Sequence, residues 1–257
     1  MTDRPAKPSI AQIREVSQPI SVTGRSNAEH WVADIYLRKI SPYLTRVLLK
    51  TPITANGVTF LMIVTGMSIS AALLIPGYQG ILLAFSLSQL QMLWDCCDGE
   101  IARWRNTQSP KGVFLDRVGH YLTESLIPIA FALRLTGWPN EPITDWKTPF
   151  VAALISIMIL INKGFNDIVH VSRAFSNLPK LSDSHESSAP TSTLLKIVKA
   201  PFKILAVQRL FHSVEMTIII TIFGNNDALI NMGFYLALFV TLGHFVAILG
   251  SRKLEPR

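Results

Sequence analysis

Apolar positions along this chain come in long runs. Stretches of about 20 mostly apolar residues lie near 54–75, 80–103, 112–135, 148–170, 205–223 and 228–249, each the length a helix needs to cross the hydrocarbon core of a bilayer. Such runs exceed what a soluble core helix requires, so the pattern predicts an all-α integral membrane protein with six transmembrane helices. Ahead of them the pattern changes. Trp31, Ile35, Leu37, Ile40, Tyr43, Leu44, Val47 and Leu48 recur at roughly helical spacing among Arg38, Lys39, Arg46 and Lys50. That spacing predicts an N-terminal amphipathic helix over 28–50 lying in the membrane interface, its basic side toward anionic headgroups. The alternative is a soluble lead-in packing on the cytoplasmic ends of the spans. Residues 1–27, and 174–194 with its Ser-rich "LSDSHESSAPTST", have little to bury and read as a disordered cytoplasmic tail and a flexible cytoplasmic loop. The expected organisation is one membrane domain over 28–250, closed by a short cytoplasmic tail at 251–257.

Composition agrees with a bilayer as solvent: 49% of residues are hydrophobic and 16% charged. The net charge of +7 would raise nucleic acid as a partner for a soluble chain. Here the side on which the charges fall matters more, and no nucleic acid is expected. The connections "PGYQ", "GWPNEPITDWK" and "GNND" after the first, third and fifth runs carry only Lys147 as a basic residue. The other side holds Arg38, Lys39, Arg46 and Lys50, then Arg103, Arg105, Lys111 and Arg117, then Arg173 to Arg209, then Arg252 and Lys253. This asymmetry predicts a multi-pass protein of the cytoplasmic membrane with both termini, and the charged turn described next, in the cytoplasm. The first 30 residues show no apolar core followed by a cleavage site, so no removable secretory segment is expected. Cys96 and Cys97, adjacent in one predicted helix, cannot easily bridge each other and read as packing residues.

No formal charge occurs from Gly80 to Trp94, and then five of the eleven residues from Asp95 to Arg105 are charged. A charged side chain near mid-bilayer costs about 3 kcal/mol on insertion scales, so this cluster needs a partner, water or a metal. Asp95 and Asp98 are three apart and share a helical face, and Asp116 and His120 are four apart on the next. A short turn makes the two helices antiparallel neighbours, so three carboxylates and an imidazole can converge. Oxygen ligands suit a hard divalent cation such as Mg²⁺, and such a cation at a membrane boundary suits a phosphate or pyrophosphate. Gly99 and Ala102, small residues on the same helix, let a nucleotide approach the backbone.

These residues form a recognisable signature. Asp95-x-x-Asp98-Gly99-x-x-Ala102-Arg103, eight residues, then Gly112-x-x-x-Asp116-x-x-x-His120 resembles the signature of the CDP-alcohol phosphatidyltransferase family at every position but the last. Thr54-Ala55-Asn56-x-x-Thr59 is similar to a second family pattern, with alanine in place of proline. The resemblance implies a six-helix membrane transferase of phospholipid biosynthesis, often a homodimer. It would move a substituted phosphate from a CDP-alcohol, usually CDP-diacylglycerol, to the hydroxyl of an acceptor alcohol and release CMP. It further implies that Asp95, Asp98 and Asp116 bind Mg²⁺ or Mn²⁺, that Gly99, Ala102 and Gly112 shape the cytidine site, and that Arg103 and Asn56 lie near the nucleotide. The family's last signature residue is an aspartate, taken as ligand of a second metal and as general base. Here it is His120. An imidazole can accept a proton from an alcohol near neutral pH, but it is a poorer Mg²⁺ ligand, which favours Mn²⁺ or a single ion. His120 as base or ligand, a base supplied elsewhere with Glu124 foremost, and a catalytically silent relative that senses nucleotide or lipid remain open from sequence. So does a soluble CDP-polyol as donor.

Further polar residues sit in later spans: Asn162, Lys163, Asn166, Asp167 and His170 in the fourth, and Arg209, His212 and Glu215 at the fifth. Lys163 and Asp167, four apart, can neutralise each other. The functional alternative is that Lys163, Arg209 and His212 line the acceptor pocket and bind a phosphate or a polyol. His244 is expected to pack inside the bundle. A transporter would spread polar residues and helix breaks across the bilayer, whereas these charges gather toward one side.

Overall fold

In a computed structural model of the 257-residue chain, the described residues are 4, 5, 7–20, 30–179 and 209–255. Among them are helices and turns, with no strand. The helices are α1 (Ile10–Ser17), α2 (Arg38–Leu48, entered through a π-turn at Ala33–Leu37), α3 (Ala55–Leu73), α4 (Gly77–Arg105), α5 (Pro110–Leu135), α6 (Lys147–Phe175), α7 (Ser213–Phe223) and α8 (Ala228–Leu249). α3, α4, α6 and α8 are long and apolar enough to cross a membrane, so the chain is a multi-pass membrane protein. Their outward side chains agree: Phe60, Val64 and Met67 of α3 and Phe239, Leu242, Val246 and Leu249 of α8 are exposed, a display that suits lipid. α5 has the length of a span, but Lys111, Asp116, Arg117, Glu124 and Arg134 keep it off that set. α7 has 11 residues, about 16 Å of helix, too little alone for a hydrocarbon core. The fifth expected span therefore shortens from 205–223: Leu210 and Phe211 lie in a turn, and 205–208 fall outside the described residues.

Local chemistry sets the ends that matter. Ser109 Oγ accepts from Gly112 N at 3.1 Å just before Pro110, which opens α5 where its missing N–H costs nothing. α4 ends at Asn106 in the left-handed region (φ 54°), with Thr107 N reaching back to Ala102 O at 2.9 Å. The turn between the two charged helices is thus written in "RNTQSP". Asn177 ends α6 the same way, with Leu178 N bonded to Arg173 O at 2.9 Å. Thr54 Oγ1 accepts from Gly57 N at 3.0 Å at the start of α3. Ala55 occupies the first helical position there, a place where alanine substitutes for proline at little cost.

The chain falls into two compact units, Met1–Ile69 with Ser86–Leu122, and Ser70–Phe85 with Thr123–Arg257. In the first, Ala55, Val58, Cys97 and Ile101 form an apolar cluster against which Leu44, Leu48, Leu93 and Ala102 pack. Both cysteines are buried free thiols. Residues 10–17, expected to be disordered, instead form α1, closed by a Ser9–Gln12 capping box. Its anchor is Glu100 of α4, a fully buried carboxylate. Glu100 accepts from Ser41 Oγ (2.5 Å), Thr45 Oγ1 (2.7 Å) and Gln18 Nε2 (2.8 Å), and Arg38 Nη1 stands 3.6 Å away. The side of α2 that packs inward therefore carries polar Ser41 and Thr45 beside Leu44 and Leu48, while Ile40, Tyr43 and Val47 are exposed. Tyr36 donates to Gln89 of α4, and burial pushes its phenol pKa up, which keeps it a donor. In the second unit α8 packs along α6. Arg134 there spreads its guanidinium over Leu73 O, Ile75 O, Gly77 O and Asn225 Oδ1 at 2.6–2.9 Å.

Candidate active site

Asp95 and Asp98 stand on α4 and Asp116 and His120 on α5, with the turn at 106–109 between them. His120 Nε2 lies 3.2 Å from Asp95 Oδ1 and 3.7 Å from Asp116 Oδ1. One ligand atom from each of these three residues falls within 4.8 Å of the others. Exposure rises from His120 (18%) through Asp95 (26%) to Asp116 (41%), so the group opens on the Asp116 side. Asp98 is outside the trio but near enough to interact with Asp95 and Asp116, and its Oδ2 accepts a 2.6 Å bond from Thr59 Oγ1 of α3. Two carboxylate oxygens and one imidazole nitrogen at such distances are a donor set that fits a divalent cation, since unneutralised carboxylates so close repel one another.

Of the expected nucleotide residues, Gly99, Ala102, Arg103 and Gly112 fall between Asp95 and His120 in sequence and Asn56 lies on α3, and four of them form two contacting pairs. A Cβ on Gly99 would come 3.1 Å from both terminal nitrogens of Arg103, and a Cβ on Gly112 would come 3.1 Å from Asn56 Oδ1. Each glycine thus leaves just the room its polar neighbour uses. Arg103 Nε also donates to Ser17 O at 2.6 Å, which ties it to α1. Ala102 packs against the apolar cluster of the first unit. Arg105 reaches the carbonyls of Leu49 (3.4 Å), Thr51 (3.0 Å) and Ile53, fixing the link between α2 and α3.

Three residues given no role by the sequence reading shape this region. Thr59 was legible only as the last letter of the Thr54-to-Thr59 pattern, and its hydroxyl is what holds Asp98. Gly119 precedes His120, and a Cβ there would meet Met62 Cε at 2.6 Å and Ile63 Cγ1 at 2.8 Å, so any larger residue makes those two side chains of α3 shift. Glu100 anchors α1 and α2 to the helix that carries Asp95 and Asp98.

In the second unit Glu124, on α5 four residues after His120, is 2% exposed. Lys163 Nζ lies 2.6 Å from its Oε2, and His212 Nε2 lies 3.7 Å from its Oε1. Lys163, Arg209 and His212, the residues expected to line an acceptor pocket, all line one cavity of about 110 Å³ together with Glu124, Asn162 and Thr241. His212 also caps α7, its Nδ1 accepting from Val214 N at 3.5 Å. His244 packs edge-on to Phe165, with ring centroids 5.6 Å apart, and its Nδ1 lies 3.2 Å from Asn162 Oδ1.

A family profile described as CDP-alcohol phosphatidyltransferase matches residues 52–242, from just before α3 to within α8. No curated protein matches the chain.

Proposed function

The chain belongs to the CDP-alcohol phosphatidyltransferase family, and from that premise we propose that it transfers a substituted phosphate from a CDP-alcohol, CDP-diacylglycerol foremost, to an acceptor hydroxyl. CMP is the second product. The observation that carries this reading is the meeting of Asp95, Asp116 and His120 within 4.8 Å at the signature itself.

Family members typically use divalent metals, and the donor set here fits one. Asp95, Asp116 and His120 would hold Mg²⁺ or Mn²⁺, with Asp98 beside them, and bound cations would neutralise the donor's pyrophosphate and the departing CMP. The chain's own residues do the rest. Gly99 and Gly112 shape the cytidine site by leaving room for Arg103 and Asn56, which offer the nucleotide polar contacts. One lone pair cannot serve both an ion and a proton, so in the alternative to ligation His120 Nε2 takes the proton of the acceptor hydroxyl, with Asp95 Oδ1 stabilising the imidazolium that forms. The acceptor oxygen then bonds to the donor's β-phosphorus as the bond from that phosphorus to the oxygen of CMP breaks. Lys163, Arg209 and His212 line the acceptor pocket.

The same proposal includes one membrane domain over 28–250 with six crossings, α5 and the region of α7 completing the four apolar spans. It places both termini and the site on the cytoplasmic side of the cytoplasmic membrane, α2 in the interface, and the protein in phospholipid biosynthesis as a homodimer. The competing reading, a silent nucleotide- or lipid-binding relative, draws on His120 alone. The deciding experiment is CMP release by purified protein from CDP-diacylglycerol across a panel of alcohols with Mg²⁺ or Mn²⁺. Release that requires the metal, one acceptor and Asp116 supports the transferase. No release with any acceptor, and its appearance in His120→Asp, supports the silent relative.

A further inference from the structure

The cavity of the second unit is close to charge-balanced before anything enters it. Glu124 holds Lys163 Nζ at 2.6 Å and stands 3.7 Å from one nitrogen of His212, while the other nitrogen of that ring is 3.7 Å from Glu215 Oε2. Both carboxylates are well buried, at 2% and 12% side-chain exposure. They offset Lys163 and the lining Arg209, while His212, whose Nδ1 accepts from Val214 N, adds no charge. A phosphate monoester carries between one and two negative charges at neutral pH. To enter here it would give up its hydration and compete with Glu124 for Lys163, which already has that carboxylate at 2.6 Å.

An uncharged hydroxyl compound meets no such barrier, and the lining has polar atoms suited to it. Asn162 turns Oδ1 to His244 and leaves its amide Nδ2 buried with no hydrogen-bond partner. A buried donor left in that state is a strong call for an acceptor oxygen. The Thr241 hydroxyl donates to Met158 O at 3.3 Å, which keeps its own lone pairs available to a ligand O–H. A hydroxyl both accepts and donates, and so can satisfy Asn162 and Thr241.

We propose that this cavity takes an uncharged hydroxyl compound and rejects the phosphorylated counterpart, with Glu124 as the specificity-determining residue that occupies Lys163. The inference rests on the reading of the cavity as the acceptor subsite and narrows its substrate class. Removing the Glu124 charge converts the cavity into an anion site.

The test compares glycerol with glycerol 3-phosphate, and myo-inositol with its 1-phosphate, on the purified full-length protein. The readouts are CMP release and ligand-dependent thermal stability. In the wild type, CMP release uses the uncharged member of one pair with an apparent KM at least about tenfold below that of its phosphorylated partner, and neither phosphate ester raises the melting temperature. Glu124→Gln melts lower, and glycerol 3-phosphate raises it, because the ester supplies the missing counter-charge to Lys163. The double variant Glu124→Gln/Lys163→Gln, with neither charge, folds and gives no response to the ester. A wild type stabilised by glycerol 3-phosphate, with the effect lost in Lys163→Gln, overturns the inference, as does a Glu124→Gln protein indifferent to the ester. Absence of CMP release with every compound sinks the transferase reading instead, and the stability comparison still decides this one.

Discussion

The two polar regions of this protein solve opposite electrostatic problems. Around Asp95, Asp116 and His120, carboxylates gather with one imidazole among them, and Asp116 keeps 41% exposure. Around Glu124, a carboxylate at 2% exposure already holds a lysine. The first arrangement is incomplete without a cation and the second is complete without one. The contrast teaches that clustered charge in a membrane protein is informative through its imbalance: excess negative charge marks the place that recruits an ion, and a matched pair marks a place that selects by neutrality.

The strongest way to break this comparison is to empty the first region. Asp116→Ala should lower CMP release by about 10³-fold or more, and chelation of divalent ions should abolish it while leaving the melting temperature of the second unit's network unmoved. Disturbing the second region should act on stability first. Glu124→Ala leaves Lys163 without its buried partner and should cost about 3–5 kcal/mol in a denaturation series, whereas Asp116→Ala, which relieves repulsion, should cost little or raise the melting temperature. A third experiment probes the margin of the cation region. Thr59→Val removes the hydroxyl that holds Asp98 and should weaken metal-dependent CMP release by about 10–100-fold, the scale of lost support to a ligand carboxylate. The smallest effect is a shift of preference: His120→Asp should move the ratio of Mn²⁺ to Mg²⁺ affinity by about tenfold toward Mg²⁺, read by Mn²⁺ binding in the absence of substrate.

These regions were unequally legible. The first lies within one stretch from Asp95 to His120, where helical spacing alone brings the residues to facing helices, and the turn residues Asn106 and Pro110 close the distance. The apolar runs match the limits of most of the long helices, as with 228–249 for α8. Legibility failed where the cause lay far away in sequence. Gln18 and Ser17 look like tail residues until Glu100 is placed beside them, and then residues 10–17 have a reason to be helical. Ser41 and Thr45 drew no reading from the amphipathic pattern over 28–50, yet the buried carboxylate of Glu100 gives them a place on its inward face beside Leu44 and Leu48. Leu210 and Phe211 extended an apolar run on paper, but His212 caps α7 and starts the helix only at Ser213. The pairing of Lys163 with Glu124 joins two helices, and no spacing rule within one helix finds it.

Glu100 also has a consequence for the order in which the protein is made. Ser17 and Gln18 emerge from the ribosome 83 and 82 residues before the glutamate they bind, and Ser41 and Thr45 follow well ahead of it. The Ser41 and Thr45 hydroxyls and the Gln18 amide that receive the carboxylate are therefore synthesised first. The charge arrives last, to donors already present, and is never required to enter the apolar packing of α4 alone.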